Sequence, residues 1–240
     1  MKQLIIDIGN TSIKTIICLD GVYKELNRFE SETAFISSIR SEFNTATIIS
    51  SVRTKEFTSK IATLFSNVLV LTSNTRIPIE NGYATPQTLG NDRLANAVAV
   101  FKECPNQNNL IIDVGTCLKI DFINKENIFL GGSISVGFSM RYKALHTFTD
   151  NLPLYKNETI KTITGKDTKS SMLVGAYQGM LSEIKDFIQQ YEQKYGEINV
   201  FLTGGDLSYF KNEELSQKNG IFADPLLTLK GLKVILDYNV

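Results

Sequence analysis

Apolar residues first gather in the run LIIDIG at residues 4 to 9, and the same run returns as LIIDVG at 110 to 115, identical but for Ile8 against Val114. Asp7 thus recurs as Asp113, an offset of 106 residues. That offset is too long for a solenoid repeat and suits a duplicated domain of ordinary size. The polar, breaker-rich stretch PNQNN (105 to 109) marks the join, giving domains at 1–109 and 110–240.

Each copy opens as strand, glycine turn and strand. In the first, LIID and SIKTIICLD flank Gly9-Asn10, a pair suited to the φ > 0 positions of a tight hairpin. In the second, LIID and LKIDFI flank Gly115-Thr116, with IFLGGSIS as a third strand. Helices follow. Leu94, Ala97, Val98 and Phe101 recur at helical spacing after Asn91-Asp92, which can cap that helix. Met172, Ala176, Met180, Ile184, Phe187 and Tyr191 form an apolar stripe on a long helix ending at Gly196. A strand, INVFLTGG, comes next, and a last helix is predicted to start at Asp224-Pro225 and to carry Leu229, Leu232 and Leu236. Strands first and helices after, twice over, predict two α/β domains facing each other across a cleft.

Composition narrows the function. Of 240 residues, 42% are hydrophobic and 21% charged, which is the make-up of a folded globular chain. The 25 basic and 25 acidic residues cancel, so the chain lacks the positive field of a non-specific nucleic-acid binder, and no nucleic-acid partner is expected. Three cysteines, Cys18, Cys104 and Cys117, form no CxxC pair and no even-numbered disulfide framework; a reducing cytoplasm fits them. The apolar start is broken by Asp7, and no run approaches the roughly 20 residues of a membrane span, so neither secretion nor a membrane location is expected.

The phosphate-binding loops with the strongest signatures are absent. The nearest approach to a P-loop, Gly132 to Gly137, is followed by Phe138 and lacks the lysine, and no G-x-G-x-x-G occurs. The candidate cradle is instead the turn from Asp7 to Lys14. Gly9 and Asn10 let backbone N–H groups approach a phosphate, Thr11 and Ser12 add hydroxyls, and Lys14 adds charge. Asp7 would repel phosphate unless a cation lay between them, which implies Mg²⁺ held through water. An ordinary hairpin with a strand-end aspartate is the competing reading; the second Asp-x-Gly copy favours the cradle, although duplication alone accounts for part of the identity.

Leu89-Gly90-Asn91-Asp92-Arg93 is the second constellation. It reads as a helix start capped by Asn91 or Asp92. It also reads as a substrate site, with Arg93 pinning an anionic group and Asp92 accepting a hydroxyl proton. Gly131-Gly132 and Thr203-Gly204-Gly205-Asp206, taken as strand ends, either admit a ribose or purine face or simply turn the chain. Gly175 and Gly179 suit helix packing, and the lone His146 has no partner motif and no catalytic role.

In order along the chain, DIGNTSIK (7 to 14), Tyr83-x-x-Pro86 with LGNDR (89 to 93), IDVGT (112 to 116), GGSIS before Gly137, Asn151-Leu152-Pro153 and TGGD (203 to 206) resemble the type III pantothenate kinases, within the acetate and sugar kinase, Hsc70 and actin superfamily. The resemblance spans essentially the whole chain. It implies two duplicated ribonuclease H-like, actin-like ATPase domains and transfer of the γ-phosphoryl of ATP to the primary hydroxyl of pantothenate, the first step of coenzyme A synthesis. It further implies ATP phosphates on the Asp7 to Lys14 hairpin and on Thr116, with Gly204 and Gly205 at the nucleotide. Asp92 would be the general base, with Tyr83, Gly90, Asn91 and Arg93 around pantothenate. Mg²⁺ would sit near Asp7, a monovalent cation (K⁺ or NH₄⁺) on Asp113, and Thr168 would reach the substrate from the other subunit of a homodimer. The chain differs from the family pattern in having Val136 before Gly137 and in Cys117 and Lys119. Two other readings share the fold: a catalytically reduced accessory or regulatory protein, and an assembling ATPase.

Overall fold

A computed structural model of the chain describes residues 1–210 and 220–240. They form two units, 1–105 together with 226–240, and 106–225. Residues 226–240 therefore belong with the first unit and not with a 110–240 half, because their apolar face packs on a helix of that unit.

In the first unit, β1 (Lys2–Ile8), β2 (Ile13–Leu19), β3 (Val22–Phe29), β4 (Ala46–Ser51) and β5 (Val68–Val70) make a sheet in the order β3-β2-β1-β4-β5. β2 is antiparallel to β1 and to β3, while β4 is parallel to β1 and to β5. The parallel pairs need crossovers, and α1 (Glu32–Ser38) and α2 (Lys55–Ala62) supply them. Each is capped by its preceding hydroxyl, Ser31 accepting from the Ala34 amide and Thr54 from that of Phe57. A central strand covered on both faces is apolar throughout, which explains the solid run of β1. Leu4, Ile6 and Ile8 pack with Phe35, Ile49 and Ile61. The opposite face lies under α3 (Asn91–Glu103) and the final helix, α8 (Leu227–Asn239). Leu229, Leu232 and Leu236 are buried as their spacing predicts. Gly231 lets these two helices touch: a Cβ there would stand 1.8 Å from the Ala95 carbonyl oxygen.

A two-residue strand β6 (Glu80–Asn81) precedes α3. The second unit repeats the first. β7 (Asn109–Val114), β8 (Cys117–Ile123), β9 (Ile128–Val136), β10 (Asn199–Thr203) and β11 (Ile221–Ala223) lie in the order β11-β10-β7-β8-β9. β8 is antiparallel to β7 and β9, and β10 is parallel to β7 and β11, so both units share one pairing scheme. Leu110, Ile112 and Val114 join Leu118, Ile120, Phe138, Met180 and Ile184 in its core.

The long helix is interrupted. After α4 (Phe138–Thr147) and α5 (Thr168–Leu173), residues Val174–Gln178 form a π-helical turn before α6 (Gly179–Tyr195), which ends at Gly196 with φ 78°. Three successive four-residue steps, Met172 to Ile184, would drift by roughly 120° around a regular helix of 3.6 residues per turn. The wider turn absorbs part of that drift, and Met172, Ala176, Met180 and Ile184 are all buried. The short α7 (Leu207–Phe210) follows β10.

Three local expectations are corrected. Neither Gly9 nor Gly115 has positive φ; the positive pair is Asp20 (50°) and Gly21 (81°), which turns β2 into β3. Gly131 and Gly132 lie within β9 rather than at its end, Gly131 (φ 88°) opposite Phe122 where the register shifts, and a Cβ on Gly132 would strike the Ile120 carbonyl. The last helix begins at Leu227, with Leu226 at its N-cap, because the Asp224 amide is still bonded to the Leu202 carbonyl at 2.9 Å.

Candidate active site

The first hairpin is a loop from Gly9 to Ser12, closed by the Gly9 N–H donating to the Ser12 carbonyl at 3.0 Å. Ile8 pairs with Ile13 across it. Asn10 and Thr11 stand exposed at its tip, Ser12 is buried and Lys14 half-buried. Asp7 is half-buried beneath the loop, and its Oδ1 accepts from Ser50 Oγ at 3.3 Å on the neighbouring parallel strand. Arg53, just beyond β4, donates from Nε to the Gly9 carbonyl at 2.9 Å and lies 4.9 Å from the Phe57 ring centroid. Ser50 and Arg53 are the residues that sequence reasoning missed. Their signal is the run ATIISSVR, a strand ending in hydroxyls and a cation, which gains meaning only once β4 is seen to lie beside β1.

The second hairpin is one residue shorter, since Val114 pairs with Leu118. The registers still place a lysine opposite each repeated aspartate: Asp7 faces Lys14, and Asp113 faces Lys119. Lys119 Nζ sits 2.6 Å from Asp113 Oδ2, both side chains being largely buried. Because β10 runs parallel to β7 and aligns Thr203 with Asp113, the TGGD loop emerges beside this hairpin. Gly204 has φ 105°, and a Cβ there would come 2.3 Å from the Val114 carbonyl and 2.6 Å from Asp113 Oδ1. Only glycine fits such an approach. The Asp206 amide ties the loop down by donating to the Val114 carbonyl at 2.9 Å, whereas Gly205 has open space where a Cβ would project. Thr116 stands exposed at the hairpin tip, backed by Gly137, whose missing Cβ would lie 2.2 Å from the Thr116 carbonyl oxygen. The second unit therefore brings Asp113, Thr116, Gly204 and Gly205 together.

The third group is at the start of α3. Gly90 is the N-cap, and no side chain caps the helix, which corrects the expectation that Asn91 or Asp92 would. Asn91 instead donates from Nδ2 to the Leu71 carbonyl at 3.0 Å, pinning the helix end to the chain after β5. Asp92 is half-buried in the first turn, and its Oδ1 accepts the Arg93 N–H at 2.9 Å. A negative charge there is favoured by the helix dipole. A Cβ on Gly90 would stand 2.7 Å from Asp92 Oδ1, so the glycine leaves the carboxylate its room. Arg93 is 3% exposed, with its guanidinium 5.4 Å from the Tyr83 ring centroid, inside cation–π range. This segment offers a carboxylate that can take a proton beside a buried cation and an aromatic wall.

Thr168 belongs to the second unit, exposed as the first residue of α5. Asp167 caps that helix, accepting from the Ser170 amide at 2.8 Å, and this bond holds its carboxyl below the ordinary range. His146 Nδ1 lies 2.8 Å from the Leu152 carbonyl oxygen.

The type III pantothenate kinase family model matches residues 3–190. A type III pantothenate kinase of Cytophaga hutchinsonii is 42% identical over 238 residues, covering 99% of this chain and 100% of that one. One from Bacteroides fragilis is 38% identical over 252 residues, covering 99% and 98%. Among solved structures, a Baf family protein from Campylobacter jejuni superposes with a TM-score of 0.67 at 21% identity, covering 98% of each chain. An activator of 2-hydroxyisocaproyl-CoA dehydratase from Clostridium difficile, solved with ADPNP, gives 0.54 at 12% identity over 100% and 96%. At such identities these two show the fold alone, the duplicated α/β fold of actin-like ATPases and sugar kinases. With a family model over most of its length and full-length relatives at these identities, the chain belongs to the type III pantothenate kinase family.

Proposed function

We propose that the protein phosphorylates pantothenate at its primary hydroxyl with ATP, the opening step of coenzyme A biosynthesis, and that Asp92 takes the hydroxyl proton. The observation that carries this reading is the start of α3, where Gly90 is the N-cap and a half-buried carboxylate stands next to a buried arginine. Phosphoryl transfer asks a protein mainly to position reactants in line and neutralise charge. A primary alcohol is too weakly acidic to ionise beforehand, so Asp92 accepts the proton as the bond to phosphorus forms. Tyr83, Gly90, Asn91 and Arg93 frame the acceptor; Asn91 fixes the helix end, and Arg93 and Tyr83 brace each other. Gly9, Asn10, Thr11, Ser12 and Lys14 are assigned to the ATP phosphates, and Thr116, Gly204 and Gly205 to the phosphates and nucleotide.

Among the described residues no three His, Cys, Asp or Glu side chains gather at one point. That suits Mg²⁺, which binds few carboxylates and relies on water and substrate phosphates. Asp7, half-buried and oriented by Ser50, fits it through water. A bound Mg²⁺ would neutralise phosphate charge there. Asp113 does not fit K⁺ or NH₄⁺, because its Oδ2 already carries the Lys119 ammonium in a pair whose side chains are both largely buried. Thr168, exposed at the start of α5, is assigned to the substrate of the other subunit in a homodimer. Three free cysteines fit a reducing cytoplasm.

The test is acceptor selectivity. Pantothenate should be phosphorylated, and pantothenol and hexoses should be markedly poorer acceptors; equal or faster turnover of hexoses would overturn the reading.

A further inference from the structure

Asp113 is buried, and its carboxylate is salt-bridged at 2.6 Å by the lysine opposite it in register. A lysine stem is seldom ordered and buried unless its charge finds a partner. Here the Nζ is held by geometry that leaves little alternative. β7 and β8 are bonded from Asn109 to Val114, the hairpin is short, and directly opposed residues of an antiparallel pair project from the same face of the sheet. On the other side of the carboxylate Gly204 carries no side chain; a Cβ there would stand 2.6 Å from Oδ1. A potassium ion needs several oxygen ligands around it; this largely buried carboxylate already gives one of its oxygens to an ammonium. Any ion placed on Oδ2 would also meet the like charge of Nζ with little water between them.

Charge at this point matters for the proposed reaction. The exposed tip of the hairpin, Thr116, is assigned to ATP phosphates, and an unneutralised carboxylate three residues earlier would repel them. We propose that the Lys119 ammonium is the resident monovalent cation of this chain: it neutralises Asp113 from within the protein and makes turnover independent of K⁺ or NH₄⁺ in solution. The inference rests on the phosphotransfer reading for its kinetic consequence and on the Asp113–Lys119 geometry for its binding consequence, so the two can fail separately.

The test compares the full-length protein with Lys119→Met in choline chloride and in KCl at equal ionic strength, with Mg²⁺, ATP and pantothenate. The wild type should turn over at about the same rate in both salts. Lys119→Met should fall by roughly 10²-fold in choline chloride, the scale for losing one aligned charge-stabilising group, and recover in KCl or NH₄Cl. Melting temperature gives a readout free of catalysis. KCl in place of choline chloride should raise that of Lys119→Met and leave the wild type unmoved. If Lys119→Met does not fold, Lys119→Gln, which can donate a hydrogen bond to Asp113 without carrying charge, takes its place. A wild type strongly activated or stabilised by K⁺ overturns the proposal, as does a folded Lys119 variant as indifferent to K⁺ as the wild type. Loss of all pantothenate turnover in the wild type would instead strike the functional reading, with the melting comparison still deciding the role of Lys119.

Discussion

Replacing Asp92 by Asn separates chemistry from architecture, because Asn keeps the shape of the side chain and an accepting oxygen while losing the ability to take a proton. The helix is capped by Gly90, so no cap is lost. The carboxamide oxygen of Asn can accept the Arg93 N–H that Asp92 Oδ1 accepts at 2.9 Å. The interaction of one negative charge with the helix dipole in the first turn is also lost, worth about 0.3–1 kcal/mol. For a chain of this size that shifts the melting temperature by roughly 1–4 °C. Catalysis has more to lose. A carboxamide cannot take the proton, and removing a general base typically lowers kcat by about 10²- to 10⁴-fold. At about 1.4 kcal/mol per decade, that is several times the structural cost. Measuring kcat by ATP-coupled assay and the melting temperature on the same preparation keeps the two apart. A stable variant with kcat within a factor of a few of the wild type would refute the assignment of Asp92, and a fall in kcat matched by a large loss of stability would reduce it to a structural residue.

Other expectations follow from the same geometry. Gly90→Ala would place a Cβ 2.7 Å from Asp92 Oδ1, so kcat should fall by roughly tenfold or more through displacement of the carboxylate while chemical denaturation shifts little. Gly204→Ala combines a φ of 105° with backbone collisions at Val114; it should destabilise by about 3 kcal/mol or more in a urea titration, and a near-neutral result would contradict the packing described. Gly231→Ala should cost about 1–3 kcal/mol by forcing α8 away from Ala95, read as a lower melting temperature. Burial pushes the Glu42 carboxyl up, but bonds from Lys2, Thr45 and Ser41 outweigh it and hold the group below its ordinary range. Its contribution is therefore full at neutral pH and is lost as pH falls through that depressed value, so Glu42→Gln should flatten the acid limb of the stability-versus-pH curve.

The duplication was legible because it lies in consecutive residues. A six-residue run matched at five positions and its hairpin strands are local features, and both emerge as the paired β1/β2 and β7/β8 ladders. What stayed hidden was set by partners far along the chain. Nothing in the sequence of residues 226–240 says that their leucines pack on α3 rather than on the nearer strands; the fold shows it, with Gly231 against Ala95 and Thr228 donating to Asn96 at 2.8 Å. Asp20-Gly21, a stronger turn signal than Gly9-Asn10, takes the left-handed turn positions, whereas Gly9 sits in a wider loop. The cap at α3 was misread because Asn91 spends its amide on a distant carbonyl, Leu71, instead of its own helix. In the site, each motif was visible singly, whereas the bridge between Asp113 and Lys119 depends on a hairpin one residue shorter than its counterpart, which no spacing rule reveals.

The central claim, that the chain moves the γ-phosphoryl of ATP to pantothenate, is tested most directly by incubating the purified protein with ATP, Mg²⁺ and pantothenate and identifying products by mass. The account predicts phosphopantothenate formed mole for mole with ADP, and its loss with Asp92→Asn. ADP released without phosphorylated pantothenate, or no consumption of ATP in either salt, would contradict it.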